Sequence, residues 1–413
     1  MSKTRSGLIA ALDIGSSKVS CFIGHANADG GIRVTGIGHH AAAGVRGGVI
    51  VDMDAAQAAI LTAVNAAEQR SGERVREAVV NLSGGKPSSK TVAVEVSIAG
   101  HEVAEADLRR VVGYGYNTKI PPDRELIHCF PVGYSIDAAR GIRDPRGMFG
   151  EKLGVDMHLV TAGAGTLRNL ATCIGRCHLD IETVVVAPYA SGLACLVEDE
   201  KELGVTVIDM GGGTTTIAVF HDRNLVYTDS VPIGGEHVSR DVARGLSTTM
   251  AHAERMKTLY GSAIPSAADE QEIIDVPLIG EETHGQPNHV PRSMLVSIIR
   301  PRLEETFELV RNRLDDSGAS AVAGRRLVLT GGACQLQGVR ELAALILEKQ
   351  VRIGRPMRIN GLAEATSGPA FSTCAGLLRY AIEKSDEPWS TAAAQENPPG
   401  IFGRISQWLN DNL

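Results

Sequence analysis

Short apolar runs alternate with amphipathic stretches over most of this chain, and this alternation predicts an α/β protein. Buried strands are expected where mostly apolar runs end at turn-forming residues, at 8–12, 19–23, 78–82, 181–186, 205–208, 217–220 and 326–329. Helical spacing of apolar residues predicts helices at 49–67, 166–177, from 187 onward, at 338–348 and at 369–380. Further helices are expected between 234 and 310, on both sides of a polar loop at 266–291.

The stretch 84–161 has a pattern of its own. Val92, Val94, Val96 and Ile98 alternate with polar residues, which predicts a half-buried strand. A helix is expected at 105–112 and strands at 126–132, 134–136 and 155–161. Several strands with one helix, placed inside a larger α/β unit, predict an inserted α+β subdomain.

The last part of the chain changes character. Residues 385–400 are polar and contain prolines, which predicts a flexible linker with a reach of about 20 Å. On a helical wheel the apolar residues of 401–413 form one face, made of Ile401, Phe402, Ile405, Trp408, Leu409 and Leu413. A helix of this length spans only about 20 Å, too short to cross a bilayer. We expect it to lie in a membrane interface; docking on the protein itself or on a partner is the alternative.

Composition narrows the possible partners. The chain has 413 residues, enough for two to four domains, and an ordinary apolar content of 43%. Its formal net charge of −7 argues against a nucleic-acid partner. Seven cysteines without framework spacing indicate a reducing compartment, and neither a signal peptide nor a membrane span is predicted.

Two copies of one motif give the clearest indication of a ligand-binding site. In each copy an apolar strand ends in an aspartate, glycines and hydroxyl residues follow, and a second apolar run comes next. Glycine turns expose backbone N–H groups, hydroxyls add donors and lysine adds charge, all of which suit a polyphosphate. The predicted phosphate-binding residues are Gly15, Ser16, Ser17 and Lys18 in the first copy and Gly211, Gly212, Gly213, Thr214 and Thr215 in the second. The aspartates Asp13 and Asp209 are the predicted catalytic residues, holding Mg²⁺ through water or orienting an attacking water.

A third motif completes the predicted nucleotide site. Gly331, Gly332 and Ala333 follow a strand and precede a helix, where a ribose and adenine can approach the backbone; a plain strand–helix turn is the alternative. Glu254 and Lys257 share a helix face and could hold the ribose and base, or form a solvated ion pair. The remaining predicted nucleotide-binding residues are Gly234 and Gly235.

The order of these motifs resembles the superfamily of actin, sugar kinases and heat-shock chaperones. More closely, the whole chain resembles the FtsA family of bacterial cell-division proteins, in particular over 207–214, 291–293, 328–333 and 350–354. The resemblance implies an actin-like (ribonuclease H-like) α/β fold of two domains and four subdomains. It assigns 1–83 and 162–190 to subdomain 1A, 84–161 to the inserted subdomain 1C, 191–228 and 305–384 to 2A, and 229–304 to 2B.

The resemblance also implies a function. Proteins of this family bind ATP with Mg²⁺, polymerise, and lie on the cytoplasmic face of the inner membrane at the division septum. There they tether filaments of the tubulin relative FtsZ and recruit later division proteins, which we expect to dock on the inserted subdomain. Arg302 matches a family position expected to contact the acidic FtsZ tail, whereas Arg292 is a weaker contact candidate that could instead govern self-association. The rival functions are a sugar or acid kinase of the same superfamily and an actin-like scaffold for pilus or shape machinery.

One position departs from the wider superfamily. The filament-forming relative MreB has a glutamate, positioned to activate water, just before the proline of its connecting helix. The matching residue here is Ala187, before Pro188. A methyl group cannot accept a proton, and general-base help is worth about 10²–10⁴-fold. We therefore expect ATP to act mainly as a structural ligand and to be hydrolysed slowly at most.

Overall fold

The computed structural model describes residues 7–27, 31–280, 288–357 and 359–383. The predicted linker 385–400 and the predicted amphipathic helix 401–413 lie outside the described residues. The described part contains no helix that combines the length and the apolar character needed to cross a bilayer.

The first half of the chain forms most of one large sheet, a four-stranded sheet, a small hairpin and the helices that cover them. Its elements are β1 (Leu8–Ile14), β2 (Lys18–Ala26), β3 (Ile32–Ala41), β4 (Val45–Arg46), β5 (Val49–Ile50), α1 (Met53–Ser71), β6 (Glu77–Leu82), β7 (Ser88–Ser97), α2 (Glu105–Tyr116), β8 (Arg124–Ile136), β9 (Ala139–Ile142), β10 (Lys152–Gly163), α3 (Ala164–Arg176), β11 (Asp180–Val186) and α4 (Ala187–Cys195).

The second half forms one large sheet, a small hairpin and their helices. Its elements are α5 (Glu198–Leu203), β12 (Val205–Met210), β13 (Thr215–His221), β14 (Asn224–Val231), α6 (Gly235–Gly245), α7 (Met250–Tyr260), β15 (Ile273–Val276), β16 (Asn288–Pro291), α8 (Arg292–Asp316), β17 (Arg326–Thr330), α9 (Val339–Leu347), β18 (Gln350–Ile353), β19 (Ile359–Asn360) and α10 (Ser372–Glu383).

The two large sheets repeat one design. Their strand orders are β11-β6-β1-β2-β3-β19 and β14-β13-β12-β17-β18. Each is built on an antiparallel hairpin with the same register, in which Asp13 faces Ser20 and Asp209 faces Thr216. The first strand of each hairpin also pairs in parallel with a later strand, β1 with β6 and β12 with β17. The repeated sequence motif is therefore a repeated structure, with both aspartates at the same place in their sheets.

The insertion forms a separate sheet with its own core. Its strands have the order β7-β10-β8-β9, and α2 packs on β7 and β10 through buried side chains that include Leu108, Val111 and Met157. It contacts the second half at the edge strand β14, where the Thr228 N–H donates to the Ser89 hydroxyl over 2.8 Å. The insertion thus covers part of an edge that would otherwise expose unpaired backbone groups.

Two helices pack between the large sheets. Helix α4 continues from the first sheet and packs on β12, whereas α10 follows the second sheet and packs on β1, β2 and β6. They cross where Gly376 meets the backbone of Ala190, so closely that a Cβ on Gly376 would overlap the Ala190 carbonyl. This crossing joins the two halves directly behind the aspartates that end β1 and β12.

Replacing Gly376 with alanine should therefore destabilise the protein by about 3 kcal/mol, because a methyl group here meets main-chain atoms that cannot rotate away. Thermal or denaturant unfolding of the full chain measures this. Gly113→Ala in α2 is the matched control: its added Cβ meets nothing within 4 Å, and alanine favours a helix by about 1 kcal/mol. Equal unfolding midpoints for Gly376→Ala and Gly113→Ala would contradict the close approach of α4 and α10.

The structure corrects several predicted elements. The region 266–291, predicted as a polar loop, contains the hairpin of β15 and β16, whose buried residues Ile274, Val276 and Val290 are outnumbered by polar neighbours. The strands predicted at 126–132 and 134–136 are one strand, β8, with two register shifts against β10. Helix α1 begins at Met53 rather than 49 because the Asp52 carboxylate caps it, accepting from the N–H groups of Asp54 and Ala55.

Candidate functional site

A cleft between the two large sheets collects most of the residues predicted to bind nucleotide. It comprises a small cavity of about 120 Å³ and a large cavity of about 860 Å³. The two are adjacent, since Ser17, Gly211, Gly212 and Gly332 line both. A phosphate chain in the small cavity could therefore be joined to a larger group in the large one.

The turns of the two hairpins face each other across this cleft. Both close with the same hydrogen bond, from the Gly15 N–H to the Lys18 carbonyl at 3.0 Å and from the Gly211 N–H to the Thr214 carbonyl at 2.9 Å. They approach so closely that a Cβ on Gly213 would overlap the Ser16 hydroxyl, and one on Gly212 would lie 3.0 Å from Ser17 Cβ. Glycine is needed here because any side chain would separate the tips.

Asp13 lies at the floor of the small cavity, with 8% of its surface exposed. Asn81, at the end of the parallel neighbour β6, donates its amide N–H to Asp13 Oδ1 over 2.7 Å. Burial raises the pKa of Asp13 to about 7, with the charge of Lys18 acting in the opposite direction. Burial likewise lowers the pKa of Lys18, whose ammonium lies 3.2 Å from the centre of the Phe371 ring.

Asp209 occupies the matching position in the second half. The hydroxyls of Ser191 in α4 and Thr373 in α10 both donate to its Oδ2, over 2.5 and 2.9 Å. Burial raises the pKa of Asp209 also. Gly331 packs against this carboxylate with φ +87°, a left-handed backbone in which a Cβ would overlap Asp209 Oδ1. Both crossing helices thus orient one carboxylate toward the cleft.

The donor set fits a hard cation that keeps most of its water. Asp13 and Asp209 bring carboxylate oxygens, the ligands that Mg²⁺ prefers, to one small cavity. Within the described residues no group of three or more His, Cys, Asp or Glu side chains is arranged to hold a metal. A Mg²⁺ ion here would therefore depend on water and on phosphate oxygens for its other ligands.

The large cavity has one polar and one apolar wall. Lys257 contacts the Gly235 carbonyl at 3.1 Å, the Ser239 hydroxyl at 2.9 Å and Glu254 at 2.8 Å, so the Glu254–Lys257 pair is held against the start of α6. The apolar wall includes Val238, Met250, Leu259, Leu303 and Leu336. Such a cavity suits a flat aromatic ring joined to a group that carries hydroxyls.

Most predicted nucleotide-binding residues line the cleft, and two do not. Those on its walls are Gly15, Ser16, Ser17, Lys18, Gly211, Gly212, Gly213, Thr214, Gly235, Glu254, Lys257, Gly331, Gly332 and Ala333. The prediction for Thr215 is corrected. This residue lines neither cavity; it is fully buried, and its hydroxyl donates to the Ile233 carbonyl over 2.8 Å. Gly234 also lines neither cavity; it packs behind the second turn, where a Cβ would lie 2.6 Å from the Gly211 carbonyl oxygen.

The two predicted partner-binding arginines lie away from the cleft and are engaged within the chain. The Arg302 side chain, 27% exposed, pairs with Asp241 and Glu305. Arg292 is only 14% exposed; it donates to the Tyr260 carbonyl and to Asp269, both over 2.7 Å, and to Gln337 over 3.2 Å. This geometry argues against direct partner contact by Arg292, which instead ties the start of α8 to the end of α7, to Asp269 ahead of β15 and to Gln337 ahead of α9. The predicted membrane residues Ile401, Phe402, Ile405, Trp408 and Leu409 lie outside the described residues.

Several residues of the cleft were not predicted from the sequence. Asn81, Thr216 and Thr373 line the small cavity, and Ser191 holds Asp209 from behind. Asn81 carried a usable signal, because a polar residue ended an otherwise apolar run just as Asp13 and Asp209 do. Ser191 and Thr373 carried none: they are small hydroxyl residues within apolar helices, and only the fold brings them to the carboxylate.

Comparison with known proteins agrees with this architecture. A family model described as cell division protein FtsA matches residues 206–376, and one described as the SHS2 domain inserted in FtsA matches 84–161. The chain is 46% identical to the cell division protein FtsA of Rhizobium meliloti (strain 1021), over 99% of this chain and 96% of that relative. It is 31% identical to the cell division protein FtsA of Escherichia coli (strain K12), over 91% of this chain and 90% of that one.

Solved structures confirm the predicted actin-like fold. A chain of a PilM–PilN type IV pilus biogenesis complex superposes with a TM-score of 0.63 at 16% identity, over 94% of this chain and 100% of that one. MreB5 of Spiroplasma citri bound to ADP gives 0.55 at 12% identity, over 92% of this chain and 97% of that one. Identities this low show the fold alone. The full-length matches at higher identity show more: the chain belongs to the FtsA family of bacterial cell-division proteins.

Proposed function

We propose that this protein binds Mg²⁺–ATP in the cleft and, as a polymer attached to the cytoplasmic face of the inner membrane, anchors FtsZ filaments there during division and recruits later division proteins. The observation that carries the nucleotide part is the pair of matched hairpin turns, each ending in a buried aspartate and opposed across one cavity. The structural relative MreB5 has been solved with ADP and with AMPPNP, which supports a nucleotide in the same fold.

Each part of the cleft has a role in this proposal. Backbone N–H groups of the two turns, with Ser16, Ser17 and Lys18, bind the triphosphate. Asp13 and Asp209 hold Mg²⁺ through water, and the metal neutralises phosphate charge. Gly331, Gly332 and Ala333 border the ribose and adenine, which Glu254 and Lys257 reach from α7. The cleft separates subdomains 1A and 2A, and the insertion 1C stays available for partners.

Hydrolysis should be slow in this arrangement. Ala187 begins α4 and lines the small cavity with its methyl group. A methyl group neither orients nor deprotonates a water, so the bound nucleotide persists as part of the structure.

Ala187→Glu is therefore expected to raise ATP turnover by about 10- to 100-fold, because the carboxylate would enter the wall of the small cavity beside Asp13 and Asp209. Phosphate release under saturating Mg²⁺–ATP measures the rate. Ala187→Gln is the control that adds the same bulk without a base. If turnover is unchanged in Ala187→Glu, or raised equally in both variants, slow hydrolysis is not caused by the lack of a general base at position 187.

Attachment to the membrane and to FtsZ would use residues outside the cleft. Residues 401–413 would bind the lipid surface through their apolar face, with the linker 385–400 giving reach. Arg302 is the proposed contact for the acidic FtsZ tail; its partners Asp241 and Glu305 already hold the guanidinium in place, and an incoming carboxylate must compete with them.

Co-sedimentation with vesicles tests the tethering function. FtsZ should sediment with vesicles when the full chain and ATP are present, and should remain in the supernatant when residues 401–413 are removed. FtsZ sedimenting equally with both chains would contradict the tether. A phosphorylated product in a screen of sugars and organic acids would instead favour the kinase alternative.

A further inference from the structure

One hydroxyl on the cleft wall has no partner in the protein. Thr216 is 2% exposed and lines the small cavity, and its Oγ1 makes no hydrogen bond to any described residue. Among the described residues four other buried side-chain atoms lack a partner, one each in Ser20, His158, Thr206 and Arg379, and none of these residues lines the cleft. A buried hydroxyl without a partner costs stability, so its position at a ligand cavity needs an explanation.

The register of the second hairpin places Thr216 beside Asp209. The two residues face each other in the β12–β13 pair, and directly opposed side chains point to the same side of a sheet. Ser191 and Thr373 donate to Asp209 Oδ2, and no described residue donates to Oδ1. The carboxylate oxygen and the hydroxyl thus belong to neighbouring residues on one side of the sheet, and both residues line the small cavity.

We propose that the Thr216 hydroxyl is a positioning group for bound Mg²⁺, forming a hydrogen bond to a water in the ion's hydration shell while Asp209 binds that shell through its own oxygen. The inference rests on the proposed nucleotide site and assigns it an additional residue. A hydroxyl suits the task because it both donates and accepts, and Mg²⁺ usually retains several waters.

The first half supplies a natural control. Ser20 faces Asp13 in the same register, is fully buried, and its hydroxyl also lacks a partner among the described residues. Ser20 does not line the cleft, so its hydroxyl cannot reach a ligand there. The two residues occupy equivalent places in equivalent hairpins, and of the two only Thr216 lines the cavity.

The test compares Thr216→Val, Thr216→Ser and Ser20→Ala in the full chain, using a fluorescent ATP analogue with excess Mg²⁺ and then with EDTA. Thr216→Val should weaken binding about 5- to 10-fold with Mg²⁺, the loss of one hydrogen bond, and should leave binding in EDTA unchanged. Thr216→Ser should bind as the wild type does, and Ser20→Ala should match it under both conditions.

Thermal unfolding without nucleotide separates this role from a structural one. Removing an unpartnered hydroxyl should leave the midpoint of Thr216→Val equal to or above that of the wild type. A lowered midpoint, an unchanged Mg²⁺-dependent affinity, or an equal loss with and without Mg²⁺ would overturn the inference. Absence of nucleotide binding by the wild type would overturn the proposed function itself, which is a distinguishable result.

Discussion

Lys18→Met should weaken Mg²⁺–ATP binding by about 10- to 100-fold, the effect of losing one charge-assisted interaction with phosphate. Lys18 lines the small cavity together with Asp13 and Asp209; burial lowers its pKa, and its charge acts on both aspartates. Methionine keeps an unbranched apolar side chain and removes the charge, together with the contact of the ammonium with the Phe371 ring. Titration with a fluorescent ATP analogue measures the loss.

Lys90→Met is the matched control for charge. Lys90 is exposed on β7, so the variant changes the net charge by the same amount and should bind ATP as the wild type does. Thermal unfolding without nucleotide should show that Lys18→Met is folded. Equal ATP affinities of the two variants would show that the ammonium does not contact the phosphates.

Vesicle binding should strengthen about 100-fold or more at the protein concentration where filaments first form. The helix predicted at 401–413 carries one arginine, Arg404, and one aspartate, Asp411, so its apolar residues must hold it at the lipid surface. A single such helix binds weakly. Many copies on one filament multiply the affinity through effective concentration, by about 10²–10⁴-fold.

Sedimentation with vesicles across the onset of filament formation, followed by light scattering, measures this coupling. Below the onset the affinity should equal that of a peptide of residues 401–413. A chain that ends at 400 should stay off the vesicles at every concentration. One constant affinity through the onset would mean that membrane residence does not depend on polymerisation.

The sequence predicted the parts of the site that lie close together along the chain. Each hairpin brings its aspartate, glycines and hydroxyls together within one strand–turn–strand unit, so the pattern alone located them. The same alternation could have corrected Thr215: side chains in a strand alternate between faces, and Thr216 shares the face of Asp209. Counting hydroxyls without assigning faces selected Thr215 rather than Thr216, the threonine that lines the small cavity.

The rest depended on contacts between distant segments. Asp209 is held by Ser191 and Thr373 from two helices that meet only because Gly376 lets them cross. Arg292 appeared to be a surface arginine because the partners that bury it come from several separate segments. The type of each element could be predicted where the local pattern was clear, as in the two hairpins that carry the aspartates. Strand β3 and the β15–β16 hairpin were not predicted, because polar residues interrupt the apolar alternation there.

One triphosphate is expected to bind between the two hairpin turns. A crystal structure of the full chain with a non-hydrolysable ATP analogue and Mg²⁺ would locate it. Phosphate density is expected between Gly15–Lys18 and Gly211–Thr214, with the metal near Asp13 and Asp209. Analogue bound elsewhere, or an empty cleft at saturating concentration, would be incompatible with the proposed nucleotide site.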